Sequence, residues 1–317
     1  MKVIDHLKNA KKTLFSFEIL PPLKGKSIDS IYEGIDPLME FEPSFIDVTY
    51  HRQEYVYKKH SNGLLEKVSV RKRPGTVGIC AAIINKYGVD AVPHLICGGF
   101  SKEETENALI DLQFLGIHNA LLLRGDAIKT EANFEPEPGG HAYAIDLLKQ
   151  VVNMNNGIYL DEELNHVAPT NFCIGVAGYP EKHFEAPNMD MDLKYLKMKV
   201  DAGADYIVTQ MFFDNKKFFE FVNKCREIGI NVPIIPGLKT LTSKNQLNIL
   251  PSIFHIDIPQ ALTEAAIACK DDKQVKQVGI EWGIEQTKEL IKMGVPSIHF
   301  YTMGKSEATK TIAKATF

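Results

Sequence analysis

Short apolar runs alternate along the chain with longer segments of helical periodicity. Runs rich in β-branched and aromatic residues, bounded by polar or turn-forming residues, are typical of strands. Eight runs are predicted as strands: residues 13–20, 45–50, 92–97, 119–126, 172–179, 206–213, 232–238 and 297–303. Strands separated by helices in this way favour a parallel sheet built from βαβ units.

Helical patterns fill the intervals between these strands. The clearest are residues 101–116, 191–203 and 215–229. Each ends at a glycine, which readily adopts the left-handed conformation that closes a helix. The first begins with Ser101 ahead of Glu103 and Glu104, as expected of a capped N-terminus.

Eight strands with intervening helices and no linker predict an α/β fold, a single (β/α)8 TIM barrel that comprises residues 1–317. In such a barrel, function concentrates at the carboxyl ends of the strands. A doubly wound sheet is the alternative.

Two segments exceed the minimal barrel. Residues 51–73, after the second strand, contain two alternating runs about an Asn62-Gly63 turn and predict an inserted β-hairpin on the active face. Residues 127–140 are rich in acidic residues, Pro and Gly and predict a surface loop.

Composition narrows the class of protein. An apolar share of 44% and a charged share of 24% are typical of a globular protein, and a net charge of -4 gives no reason to expect a nucleic-acid partner. Five widely spaced cysteines without a C-x-x-C pair favour reduced thiols in the cytoplasm. Neither a signal peptide nor an apolar run of about 18 residues is present, so we expect no membrane association and a cytoplasmic location.

Polar side chains recur toward the ends of the predicted strands. They are Glu18, Thr49, His94, Arg124, Asp126, Tyr179, Glu181 and Gln210. An isolated carboxylate at a strand end is more often a helix cap or an ion-pair partner than a catalytic group. Convergence of so many polar groups on one face favours an active site, with Glu18 as its central acid.

Arg124 and Asp126 suggest a ligand-binding surface. Strand alternation would place both on one face, with Gly125 allowing a planar ligand to approach the backbone; the alternative is a structural ion pair. His94 and His183 lack the spacing of a metal site, so no metal is expected. Motifs of Rossmann folds, P-loops and hydrolase elbows are also missing. The residues alone indicate an acid-bearing barrel that handles a polar, planar ligand.

Along nearly its whole length the sequence resembles the methylenetetrahydrofolate reductase family, in its bacterial form that consists of the catalytic domain. The matching segments are SFEILPP, DVTY, PHLIC, LLLRGD, AYAIDL, GYPEKHFEA, DLKYLKMKVDAGADYIVTQMFFD, IIPGL and HFYTM. The resemblance implies a barrel that holds FAD non-covalently. It further implies a ping-pong reaction in which NADH or NADPH reduces the flavin, and 5,10-methylenetetrahydrofolate then enters the same site to become 5-methyltetrahydrofolate.

The resemblance also implies residue roles. Glu18 is expected to be the general acid that opens the folate ring, with a pKa raised by burial. Asp126 is expected to act beside the flavin, where its charge disfavours the anionic reduced flavin and stabilises cationic folate. The expected FAD contacts are Thr49, Tyr50, His94, Arg124, Gly125, Asp126, Tyr143, Ala144, Tyr179, His183, Ala186, Asp192 and Lys199. The expected substrate contacts are Glu18, Asp126, Gln210, Gln246 and Lys305.

The chain departs from the family pattern at four positions. Tyr195 and Met198 stand where some bacterial members have Asn and Arg, which removes a polar contact and a phosphate cation from the expected FAD site. Lys305 replaces an arginine and gives up bidentate geometry. Leu250 replaces an aromatic residue that could stack on a substrate ring.

Further expectations concern assembly and regulation. The hairpin carries Lys72 and Arg73 within a basic cluster and is expected to cover the dinucleotide or to make a subunit contact. We expect a homo-oligomer such as a tetramer, no regulatory domain and no inhibition by S-adenosylmethionine. The sequence does not distinguish NADH from NADPH, and a folate methyltransferase or a non-catalytic folate-binding barrel remains an alternative.

Overall fold

A closed barrel of eight parallel strands forms the centre of the structure, a computed structural model that describes residues 1–128, 131 and 133–317. The strands, in chain order, are β1 (Leu14–Ile19), β2 (Phe45–Val48), β3 (Glu54–Lys59), β4 (Leu65–Val70), β5 (Asp90–Ile96), β6 (Asn119–Leu123), β7 (Cys173–Gly178), β8 (Tyr206–Met211), β9 (Ile234–Leu238) and β10 (Ser297–Tyr301). β3 and β4 form a separate antiparallel pair. The remaining eight strands belong to the barrel.

The barrel closes where β1 pairs with both β2 and β10. Glu18 is in register with Asp47 on one side and with Tyr301 on the other. This closure confirms the predicted (β/α)8 barrel and excludes the doubly wound sheet, which has open edges.

Helices surround the barrel. They are α1 (Val3–Asn9), α2 (Asp29–Ile35), α3 (Thr76–Tyr87), α4 (Lys102–Phe114), α5 (Ala144–Asn155), α6 (Met189–Asp201), α7 (Asn215–Glu227), α8 (Gln246–Phe254), α9 (Gln260–Ala268), α10 (Asp272–Lys292) and α11 (Glu307–Thr316), with a 3₁₀ helix at Asp36–Phe41. Among the described residues, none of these helices has both the length and the apolar character that crossing a membrane requires.

Two apolar layers hold the fold together. The larger lies between the barrel and the helices, and a smaller cluster inside the barrel includes Phe45, Val92 and Tyr206. α1 covers the amino-terminal end of the barrel, where Val3 joins the inner cluster and its backbone N–H donates to Asn119 Oδ1 at 2.8 Å. The amino-terminal end is therefore closed, which leaves the carboxyl ends of the strands for a site.

The predicted elements agree closely with the observed ones. Seven barrel strands lie within their predicted segments, while β5 begins at Asp90, two residues early, because Asp90 and Ala91 pair with β2 despite lacking a strand-like apolar pattern. At the start of α4, Ser101 and Glu104 form a reciprocal capping box. Gly116, Gly203 and Gly229 all have positive φ angles, as their helix-ending role requires.

Both insertions lie at the carboxyl end of the barrel. β3 and β4 form the predicted hairpin, and its base contributes His51, Arg52 and Arg73 to the cavity at the barrel mouth. The predicted loop 127–140 falls in part, at residues 129, 130 and 132, outside the described residues. The ring of Phe134 in this loop is close to two guanidinium groups: its centroid lies 5.6 Å from Arg52 Cζ and 5.1 Å from Arg124 Cζ.

Candidate active site

A cavity of about 650 Å³ opens at the carboxyl ends of the barrel strands. Several strands contribute to it, because parallel strands end on the same face of a barrel. Ten of the predicted site residues line this cavity: Glu18, Thr49, Tyr50, His94, Arg124, Gly125, Asp126, Tyr179, His183 and Gln210. The predicted convergence of polar groups on one face is therefore observed, except that Glu181 does not line the cavity and pairs instead with Lys217.

Glu18 lies near the end of β1 and is 7% exposed. Thr302 Oγ1 donates a hydrogen bond to its backbone oxygen at 2.7 Å, which ties β1 to the segment after β10. Its carboxyl group has no hydrogen-bond partner among the described residues. Burial raises the pKa of Glu18 to about 7, as the sequence led us to expect, because the charged form is poorly solvated there.

Three neighbouring charges modify this pKa. His94 and Lys239 lower the pKa of Glu18, and Asp47 raises it. His94 Nε2 lies 3.2 Å from Asp47 Oδ2, and both side chains are buried. The carboxyl group of Glu18 is thus influenced by one buried acid, Asp47, and by two basic side chains, His94 and Lys239.

His299 on β10 is in register with Ser16, two residues deeper in the barrel than Glu18, and is fully buried. Its ring stacks on Phe45, its Nδ1 lies 3.1 Å from Ser16 Oγ, and its Nε2 has no partner among the described residues. Burial lowers the pKa of His299 to about 4, so the ring is neutral at neutral pH. His299 therefore adds a neutral imidazole, rather than a positive charge, to the cavity wall.

Lys239 directly follows β9 and was not among the residues predicted from the sequence. Burial lowers the pKa of Lys239 to about 8, while the charge of Glu18 opposes that change and Lys305 adds to it. Its position next to the end of the predicted strand 232–238 resembles the signal that singled out Glu18 and Arg124, which lie toward the ends of their predicted strands. Lys239 supplies the positive charge that faces Glu18 from the side of β9.

The segment from Arg124 to Asp126 departs from the prediction. β6 ends at Leu123, so strand alternation does not extend to Arg124 and Asp126, and the argument that it places them on one face is wrong. Arg124 pairs with Glu185 rather than with Asp126. Gly125 has a φ of +84°, and a β-carbon there would lie 3.0 Å from Ile96 Cδ1. Glycine is thus required for the backbone to turn along the cavity wall.

A second cavity of about 490 Å³ adjoins the first. Both are lined by Arg124, Tyr179 and His183, so the two form one continuous cleft. The second cavity contains the other predicted FAD contacts, together with the two departures from the family pattern: Tyr143, Ala144, Ala186, Asp192, Lys199, Tyr195 and Met198. The residues predicted to bind FAD therefore divide between two joined compartments.

Lys199 supplies the basic group of this second compartment. Its Nζ donates to the backbone oxygen of Ala177 at 2.9 Å. Burial lowers the pKa of Lys199 to about 8, and nearby Asp192 opposes that change. Asp192 Oδ2 accepts a hydrogen bond from the backbone N–H of His183 at 2.9 Å, which fixes the loop after β7 against α6. Arg124 and Lys199 place two cations along one cleft.

Two predicted substrate contacts do not line the mouth cavity in the described part of the chain. Gln246, at the start of α8, accepts hydrogen bonds from the backbone N–H and the hydroxyl of Thr242 through its Oε1. Lys305 lies in the loop after β10, near Lys239. Leu250 is buried in an apolar cluster with Met211. Within the described residues, no group of three or more His, Cys, Asp or Glu side chains is placed to hold a metal ion.

The family model and the similar proteins that match this chain all point to the same family. Residues 2–316 match the family model described as methylenetetrahydrofolate reductase. Methylenetetrahydrofolate reductase (NADH) 1 of Arabidopsis thaliana is 34% identical over 316 residues, which cover 96% of this chain and 48% of that protein. The 5,10-methylenetetrahydrofolate reductase of Pectobacterium carotovorum subsp. carotovorum is 30% identical over 300 residues, which cover 94% of this chain and 88% of that protein.

A solved structure shares the fold. An uncharacterized protein from Clostridium thermocellum that binds two copies of 5-methyl-5,6,7,8-tetrahydrofolic acid aligns with a TM-score of 0.57 and 15% identity, over 98% of this chain and 97% of that one. The chain spans about half the length of the eukaryotic relatives it matches and most of the bacterial one.

Proposed function

The chain belongs to the methylenetetrahydrofolate reductase family, and on that basis we propose that it reduces 5,10-methylenetetrahydrofolate to 5-methyltetrahydrofolate with NADH or NADPH. The observation that carries this proposal is the buried carboxyl group of Glu18, which faces the mouth cavity with a pKa of about 7. A carboxyl group with its pKa raised in this way can hold a proton near neutral pH, where an ordinary glutamate is ionised.

The reaction needs such a proton. Before hydride can reach the methylene carbon, one of its two bonds to nitrogen must break, and the electron pair goes to that nitrogen. Glu18 donates its proton to this leaving nitrogen and becomes a carboxylate, while the carbon remains as an electrophilic iminium. A general acid is most effective when its pKa lies near the working pH, which the burial of Glu18 provides.

The joined cavities fit FAD in size and chemistry. The mouth compartment suits the isoalloxazine ring, between Thr49, His94 and the backbone at Gly125, where a side chain would meet Ile96. The second compartment suits the phosphates and the adenosine, with Arg124 and Lys199 as cations. When bound, FAD would supply the two-electron redox chemistry that links oxidation of NAD(P)H to reduction of the folate.

Asp126 and Gln210 complete the proposed substrate site. Asp126 lines the mouth cavity, where its negative charge stabilises cationic folate species and disfavours negative charge on a neighbouring ring. Gln210 lines the same cavity, and its Oε1 accepts a hydrogen bond from the backbone N–H of Met211. Its amide NH₂ thereby remains available to a substrate carbonyl. Gln246 and Lys305 are proposed to meet the part of the folate that extends beyond the cavity.

An anaerobic titration tests the proposed activity. The protein is saturated with FAD, and we expect the flavin absorbance to bleach with NADH or NADPH. Addition of 5,10-methylenetetrahydrofolate should restore the absorbance and yield one 5-methyltetrahydrofolate for each flavin. A protein that stays colourless after FAD is added contradicts the proposal and favours a folate methyltransferase or a non-catalytic folate-binding barrel.

Two further expectations from the sequence remain predictions. Light scattering after size-exclusion chromatography will test the proposed homo-oligomer, which a monomeric mass would contradict. Fractionation of cells that express the chain will test the proposed cytoplasmic location, which recovery outside the cytoplasmic fraction would contradict.

A further inference from the structure

A third cavity, of about 730 Å³, lies beside the barrel mouth. The start of α3, the end of the hairpin and the loop after β1 enclose it, through Thr76, Arg71 and Lys26. Tyr50 lines both this cavity and the mouth cavity. Tyr50 therefore forms part of the wall between the two cavities.

Positive charge dominates this third cavity. Lys26 and Arg71 line it, and both also line a smaller adjoining cavity with Lys24 and Arg73. Among the described residues, Lys24, Lys26 and Arg71 have no ion-pair partner, whereas Arg73 donates to the backbone oxygen of Pro21. Glu104 also lines the larger cavity, but its carboxylate accepts the backbone N–H of Ser101 in the α4 capping box.

The basic residues at the end of the hairpin differ in their contacts. Lys72, which the sequence singled out together with Arg73, pairs with Glu54 across the hairpin. Arg71 instead points its guanidinium at the start of α3, since a β-carbon at Gly75 would lie 2.5 Å from Arg71 Nη2. Arg71 is thus the hairpin residue placed to meet a ligand in this cavity.

The start of α3 adds hydrogen-bond donors beside Arg71. Gly75 is its N-cap residue, no side chain caps the helix, and the first turn has no acidic residue. The first backbone N–H groups of a helix lack intrahelical acceptors. Independently, Thr76 lines the cavity and is only 2% exposed, yet its hydroxyl has no hydrogen-bond partner among the described residues. The hydroxyl of this largely buried residue is therefore available to a group bound in the cavity.

We propose that this cavity binds a phosphate group. A guanidinium fork, backbone N–H groups at a helix start, a hydroxyl and ammonium groups together form the donor set that phosphate oxygens require. The phosphate is carried by the dinucleotide electron donor, whose nicotinamide end occupies the mouth cavity, or it is free inorganic phosphate. That the phosphate belongs to the dinucleotide rests on the proposed function. The existence of a phosphate-binding site does not.

Binding of inorganic phosphate to the FAD-saturated protein, measured by ³¹P NMR titration, tests the site without catalysis. FAD is included so that its own phosphates occupy the compartment around Lys199. Arg71→Met should weaken phosphate binding about tenfold, the effect of losing one charge-assisted contact. Lys59→Met is the matched control, because Lys59 is exposed on the same hairpin and lines none of the cavities described above.

Two variants that preserve the charge strengthen the test. Gly75→Ala is compatible with its φ of -75° but displaces the Arg71 guanidinium, and Thr76→Val removes the hydroxyl at nearly constant size. Both should weaken phosphate binding. Competition by NADP⁺ or NAD⁺ supports the dinucleotide source, and phosphate binding without competition supports free phosphate. Absence of phosphate binding, or equal binding by the Arg71→Met and Lys59→Met variants, overturns the proposal.

Discussion

His94 Nε2 lies 3.2 Å from Asp47 Oδ2, and this buried pair borders the carboxyl group of Glu18. The two partners act on Glu18 in opposite directions, since His94 lowers its pKa and Asp47 raises it. Burial is the largest cause of the raised pKa, and the opposed partners offset one another in part. Lys239 also lowers the pKa of Glu18, and in the described part of the chain it forms no ion pair with an acid that would oppose this effect.

Removing the charge of Lys239 should raise the pKa of Glu18. Lys239→Met eliminates a positive charge that favours the Glu18 carboxylate, so the protonated form persists to higher pH. In the parent protein we expect the rate of the folate half-reaction to fall as pH rises through about 7. In the variant this fall should move to higher pH, as measured by stopped-flow absorbance between pH 6 and pH 9, a range chosen to span roughly both protonation states.

The matched control for this experiment is Lys149→Met. Lys149 is exposed on α5 and does not act on Glu18, so its profile should follow that of the parent. A Lys239→Met profile that coincides with the parent, or that moves to lower pH, contradicts the assigned interaction.

Glu18→Gln should separate the two half-reactions. The amide has no acidic proton to give, so we expect the folate half-reaction to slow by a factor of about 100 or more. Reduction of the flavin by NADH needs no proton from Glu18 and should proceed at a rate close to that of the parent. Rapid folate turnover in this variant would remove Glu18 from the mechanism.

The same substitution should stabilise the fold at high pH. The pKa of Glu18 is raised from 4.5 in the unfolded chain to about 7 in the folded protein, so folding favours the protonated carboxyl group. The stabilisation that this protonation gives is fully present below pH 4.5 and is lost as pH rises through 7. The unfolding free energies of the parent and the Glu18→Gln variant should nearly agree at pH 4.5. At pH 8 the variant should be more stable by about 3 kcal/mol.

Urea unfolding at the two pH values measures this difference. Glu33→Gln, on the exposed side of α2, is the control and should show no such gain at pH 8. Equal stability of the Glu18→Gln variant and the parent at pH 8 would show that the carboxyl of Glu18 is not desolvated.

Much of this site could be predicted from residue type and position at strand ends. Glu18, Asp126 and Gln210 were found in this way, because a polar side chain at the end of an apolar strand has no role in the core. Lys239 offered the same signal, immediately after the segment 232–238, but its burial depends on the loops and helices packed around it. Asp47 and His299 lie within strands, where only three-dimensional packing shows that Asp47 pairs with His94 and that His299 lines the cavity.

The fold was predicted better than the loops that join its elements. Strands and helices were predicted from the local periodicity of apolar residues, and the same periodicity decides which faces are buried in the barrel. For this reason β1 and α4 match their predicted segments closely. Contacts such as Arg124 with Glu185 join segments about 60 residues apart in sequence, and no local pattern encodes them. For the same reason the sequence did not reveal that Lys72 is paired, whereas Arg71 has no ion-pair partner in the part of the chain that the structure describes.

Lys199 should control the affinity for FAD in a pH-dependent manner. Its ammonium group favours a phosphate, and it loses its proton as pH rises through about 8 in the free protein. We therefore expect weaker FAD binding at pH 9 than at pH 7, measured by flavin fluorescence. Lys199→Met should bind FAD about tenfold more weakly at pH 7 and show little further loss at pH 9.

Lys197→Met provides the control on the same helix. Lys197 pairs with Asp201 and does not line the cleft, so its affinity and pH dependence should match those of the parent. FAD binding that is insensitive to Lys199→Met at both pH values would place the phosphates elsewhere.

Gly279 on α10 should be needed for stability. A β-carbon at Gly279 would lie 1.9 Å from the backbone oxygen of Leu241, so Gly279→Ala must push α10 and the loop after β9 apart. We expect a loss of about 1–3 kcal/mol in unfolding free energy, seen as a lower urea midpoint at unchanged slope. Gly34→Ala, in α2 with no atom within 4 Å of the added carbon, should instead gain about 0.5–1 kcal/mol. A Gly279→Ala variant as stable as the Gly34→Ala variant would contradict the close approach of α10 to this loop.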